Sequence, residues 1–164
     1  MDGTTIFLRQ YQAALRMLEQ AITDCPDDLW ADAQFPNIFW RVAYHALWFT
    51  HLYLHESMET FAPWERHREN YQYLGRLPRP PHDLPTIGEP YARQDLLDFL
   101  SFIKRELESR LPVVDLEAPS GFGWLHFDKA ELQIYSIRHL QHHTGQLVER
   151  LRSARGIGSE WAFG

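Results

Sequence analysis

Cysteine is almost missing from this chain: Cys25 is the single one in 164 residues. No internal disulfide and no multi-cysteine zinc or iron–sulfur site can be built. Asp24, Asp27 and Asp28 surround that residue and disfavour its thiolate, so a nucleophilic cysteine is not expected. Positive charge is in deficit, with 16 Lys and Arg against 22 Asp and Glu and a formal net charge of −6. Nucleic-acid binding draws most of its affinity from basic side chains, so it is not expected either. There is no long hydrophobic run. The most apolar stretch, Ile38 to Leu54, is broken by Arg41, His45, Thr50 and His51, and is too short and polar to cross a membrane. The opening residues lack a basic segment followed by an apolar one, so no secretion signal is expected. A Gly-rich phosphate loop is absent. No Glu is followed three residues later by His, a pair that di-iron carboxylate bundles need twice. The stretch from His55 to Glu59 begins like a zinc-protease helix, but Glu59 stands where the second His is required. These absences lead to the expectation of a soluble, cytoplasmic protein.

What is present in quantity is aromatic. Trp, Tyr and Phe make up 14 % of the chain, enough for a bulky core, an aromatic cavity or an interface. The length fits one domain over residues 1–164, with about two thirds of its unfolded surface buried. Apolar residues at three- and four-residue steps predict a first helix over Thr5 to Thr23, followed by a loop around Pro26. A second helix is predicted from Asn37, as N-cap, to about Met58. It is apolar over most of its circumference and hence central. Residues 59–89 are rich in Pro and read as a long, functional or packed connection, with room for a short helix near Pro63 to Tyr73. A third helix is predicted from Tyr91 to Leu111, where Pro112 stops it. A fourth runs from Asp128, whose Glu131 completes a capping-box spacing, to about Ser153, before Gly156. The expected fold is all-α, a four-helix bundle with a long crossover between the second and third helices.

The nine histidines are distributed unevenly. His45, His51 and His55 fall in the second helix, and His139, His142 and His143 in the fourth. Residues four apart on a helix lie one turn apart on one face, so His139 and His143 can hold a single ion between them. That pair shares the side of Leu132, Leu140 and Leu147. His45 shares a face with Val42, Phe49 and Leu52 and points inward, as a third ligand would. Such spacing also occurs in ordinary hydrogen-bonded core histidines, so metal and core readings both remain open. His51 and His55 project from another sector, and a surface position is expected for them.

The combination of Tyr44-His45-Ala46-Leu47 with His139-Leu140-Gln141-His142-His143-Thr144-Gly145-Gln146-Leu147 resembles the DinB/YfiT-like family of metal-dependent enzymes. That family has one His in its second helix and a His-x-x-x-His pair before Gly-Gln-Leu in its fourth. The resemblance implies a four-helix bundle, a homodimer, and a divalent metal on His45, His139 and His143. His51, His55 and His142 have no counterpart. Gly145 would permit close approach of a helix or substrate, and Gln146 would bond a ligand or a neighbour of one. Tyr44, Tyr135 and Arg41 are further candidates for neighbours of the ligand set, though packing or surface roles fit them better. Three neutral imidazoles suit Zn or Ni, then Fe, Mn or Cu. The family's characterised relatives imply transfer of a low-molecular-weight thiol, which a metal would deprotonate, to an electrophilic small molecule. Metal-dependent hydrolysis is the alternative, and a non-catalytic, metal-stabilised dimeric bundle is the other.

Overall fold

The structure, a computed structural model, describes residues 3–163. It is all-helical, with α1 (Gly3–Asp24), α2 (Asp27–Trp30), α3 (Phe39–Tyr53), α4 (Arg93–Arg110) and α5 (Lys129–Arg155), and a single 3-10 turn over Leu111–Val113. Among the described residues there is no β-strand, only one antiparallel bridge between Pro119 and Asp128. No described helix is long and apolar enough to cross a membrane.

The helices pack on one another through apolar stripes. α5 packs against α1 and α3, and α4 packs against the same two helices. α1 buries Tyr11, Leu15, Leu18 and Ile22, and α4 buries Leu96, Leu100, Ile103 and Leu107. Both stripes follow the three- and four-residue spacing that puts side chains on one face. α3 is different: of its fifteen residues only Arg41, His45 and Phe49 are not buried. Those three lie four apart, so they form one half-open stripe along an otherwise enclosed helix.

The ends of α5 match the sequence reading. Asp128 accepts a hydrogen bond from the Glu131 amide at 2.8 Å, and Gly156 closes the helix at φ 67°. A left-handed residue there is easiest for glycine, which has no Cβ. Other boundaries differ. α3 starts after Ile38 in extended backbone, so Asn37 is not its cap, and it stops at Tyr53 rather than near Met58. Its end is sealed from a distance: Lys129 Nζ donates to the carbonyls of His55 and Glu56, both at 2.9 Å. Pro26 opens the short α2 where a loop is expected from sequence, since proline suits the entry to a helix.

Residues 54–92 contain no helix, including the stretch from Pro63 to Tyr73. The crossover is nonetheless packed down. Trp64 stacks on Phe99 of α4 at 4.6 Å, and Arg66 pairs with Asp95 and Asp98 near the start of that helix. Tyr91 donates to the Arg66 carbonyl and accepts, through its own carbonyl, from the Trp30 indole. Gly121 is forced by a close approach: its φ is 84°, and a Cβ there would lie 1.7 Å from the Glu56 carbonyl oxygen.

Candidate metal centre

His139 and His143 sit one turn apart on α5, and their Nε2 atoms are 3.2 Å apart. His45 comes from the half-open stripe of α3 and brings its Nε2 to 3.1 Å from that of His139. It therefore lies at the α3–α5 edge, less deeply set than a core position shared with Val42 and Leu52. Each of the three offers a ring nitrogen, and these nitrogens all lie within 4.8 Å of one another. Ligands about 2.0–2.1 Å from a tetrahedral ion would be about 3.3–3.4 Å apart, close to the observed spacings.

Hydrogen bonds behind the rings set the tautomers. The Gln72 carbonyl is 2.6 Å from His45 Nδ1, and a carbonyl can only accept, so that nitrogen carries the proton. Gln146 Oε1 is 2.9 Å from His143 Nδ1 and has the same effect. The Nε2 atoms of both rings are then lone pairs directed at the Nε2 of His139. A single N–H on His139 could satisfy one of them only. His139 Nδ1 is itself buried without a partner. Burial lowers the proton affinity of all three rings, taking His45 down to about 4 and His139 to about 3, and neighbouring imidazoles push His139 the same way. At neutral pH the set is uncharged, with lone pairs converging on one point. That donor set fits a divalent transition metal.

The surroundings are aromatic and weakly positive. Phe49 packs on His45 and His139, and Tyr135 lies parallel to His139 with ring centres 6.5 Å apart. Arg41, one turn before His45, donates to the Tyr73 carbonyl at 2.6 Å. Tyr44 turns away from the cluster and shares a 2.7 Å hydrogen bond with His67 Nδ1. Gln146 also meets His142, which is exposed and outside the trio. Nothing approaches Gly145 within 4 Å of where a Cβ would stand, so it does not serve close helix packing. His82 and His126 are exposed in connections.

Sequence reasoning missed a second group. His51 and His55, expected at the surface, are 1 % and 3 % exposed, and with Glu106 of α4 they also bring ligand atoms within 4.8 Å of one another. The crossover and α4 cover this sector of α3: Phe61 and Phe102 each pack edge-on against His51. The available signal was the four-residue spacing of His51 and His55, the same as that of His139 and His143.

Comparison of the chain with family models, with curated proteins and with solved structures finds no match.

Proposed function

We propose that His45, His139 and His143 hold one divalent transition-metal ion, and that the chain is a metal-dependent enzyme of the DinB/YfiT-like kind, a four-helix bundle that joins a low-molecular-weight thiol to an electrophilic small molecule. The observation that carries the reading is the pair of fixed tautomers. The Gln72 carbonyl and Gln146 Oε1 each take an Nδ1 proton, leaving two Nε2 lone pairs aimed at His139. Three protein ligands leave a coordination position for an incoming molecule, whereas structural zinc sites are closed by four. The ion would acidify a thiol or a water bound there, supplying a nucleophile at neutral pH. Zn and Ni are the preferred ions, ahead of Fe, Mn or Cu.

The chain's own residues supply the rest. Gln72 and Gln146 hold the rings in register. Phe49 and Tyr135 wall the site against His45 and His139 and limit water on that side. Arg41 keeps a positive charge one turn from His45, which favours an anionic nucleophile such as a thiolate. The dimer belongs to the same reading, with Trp124 and Trp161, both exposed, as candidates for its contact.

Elemental analysis of the purified chain tests the site. His143→Ala should lose the ion held by the trio and His67→Ala should retain it; equal metal in both refutes the assignment. The metal-loaded chain is then offered several thiols with a chromogenic electrophile. A metal-dependent rate supports transfer. Ester or amide hydrolysis without any thiol dependence replaces it with the hydrolase, and a bound metal with neither activity replaces it with the non-catalytic bundle.

A further inference from the structure

We propose that His51, His55 and Glu106 form a second metal site, independent of the first, at the inner wall of its own cavity. Three observations converge. The ligand atoms of these residues lie within 4.8 Å of one another, and they come from three places: His51 from α3, His55 from the turn just past its end, and Glu106 from α4. His51 is 1 % exposed, yet both of its ring nitrogens are buried without a hydrogen-bond partner. A neutral imidazole has one donor and one acceptor, and burying both unpaired is costly unless something binds there. Third, His51 and His55 line a cavity of about 630 Å³, so an ion has a way in and a bound ion has an open side.

The hydrogen bonds around the group prepare it for a cation. His55 Nδ1 faces the His51 carbonyl at 3.0 Å and must donate to it, leaving Nε2 as a lone pair. Glu106 Oε2 is held by Arg110 Nε at 2.5 Å, which orients the carboxylate and leaves Oε1 free to bind. Charge in the cavity is balanced, with Glu65, Asp98 and Glu106 against Arg66, Arg105 and Arg110. Two imidazoles and one carboxylate are a donor set that zinc uses where one position is kept for water or substrate. The ligand class is therefore a divalent transition-metal ion of the zinc type.

The test is Zn²⁺ titrated calorimetrically into the full chain carrying His143→Ala, with elemental analysis of the product and far-UV circular dichroism to confirm its helices. One equivalent should still bind. Adding Glu106→Gln, or separately His55→Ala, should weaken that equivalent at least tenfold. Glu106 is partly exposed, so its variant keeps the test valid should His55→Ala unfold the chain. No binding to the His143→Ala chain, or binding unchanged by both further variants, overturns the second site. Failure of the three-histidine reading looks different: His143→Ala would then bind as much Zn²⁺ as the unaltered chain.

Discussion

Two histidine pairs in this molecule have the same four-residue spacing and opposite surroundings. His139 and His143 lie on α5 beside a half-open stripe of α3, and their third partner is another imidazole. His51 lies on the enclosed side of α3 under Phe61 and Phe102, His55 lies just past the end of that helix against Phe61, and their third partner is a carboxylate on α4. In the first group carbonyl-type oxygens fix two of the three rings. In the second only His55 is fixed this way, and neither ring nitrogen of His51 has a hydrogen-bond partner. Spacing along a helix therefore specifies that two imidazoles can share an ion. It does not specify whether they meet solvent, which is decided by what the rest of the chain lays over them.

The sharpest way to break the comparison is to remove one ligand from each group. His45→Ala and His55→Ala should each cost one equivalent of bound Zn²⁺, and the double variant should bind none tightly. Calorimetric stoichiometry reads this directly. Loss of both equivalents from either single variant would mean one shared site rather than two.

Next in size is the hydrogen bond behind His143. Gln146→Ala frees Nδ1 and lets the ring change tautomer, which should weaken the three-histidine site about 10–100-fold. The group of His51, His55 and Glu106 should not respond. Competition with a coloured chelator measures both affinities, and an unchanged three-histidine affinity would show that Gln146 does not set the tautomer.

Acid sharpens the comparison in the metal-free chain. Burial takes His51 down to about 3, as it does His139, while His45 comes down to about 4. Nearby His55 and Arg110 add to the effect at His51. An unfolded imidazole takes its proton near 6.5. Between about pH 6.5 and 4 the unfolded chain thus binds protons that the folded chain refuses, and stability falls as pH falls. Each such ring contributes a slope of up to about 1.4 kcal/mol per pH unit. His51→Leu should remove one ring's share. Urea unfolding at pH 7, 6 and 5 would show a shallower loss than in the unaltered chain, and identical slopes would mean that His51 is not held neutral.

The same contrast separates what could be read in the sequence from what could not. The Asp128 cap and the Gly156 stop depend on residues within one turn, and they were legible. So was the convergence of His45 on His139 and His143, because helical spacing and a family resemblance both pointed to it. The burial of His51 and His55 was not legible, since Phe61 and Phe102 reach them from the crossover and from α4. Nor was the bond that takes up the carbonyls just past the end of α3, which Lys129 supplies from more than seventy residues away. Local patterns carry short-range interactions, and a helix apolar on every side says that it is covered without saying by what.

The smallest effect concerns Gly145, where the missing side chain would permit close approach of a helix or a substrate beside the three-histidine group. Its helical position gives no positive φ to justify glycine, and an added Cβ meets nothing within 4 Å. Gly121 is the opposite case, since its Cβ would strike the Glu56 carbonyl near the second group. Glycine in a helix interior costs about 1 kcal/mol relative to alanine, through the backbone freedom of the unfolded chain. Gly145→Ala should therefore raise stability by up to about 1 kcal/mol and leave zinc affinity unchanged, read by urea unfolding and chelator competition. A stable variant with normal zinc affinity but impaired turnover would place substrate against that face of α5, and would make the open space beside His143 part of the site.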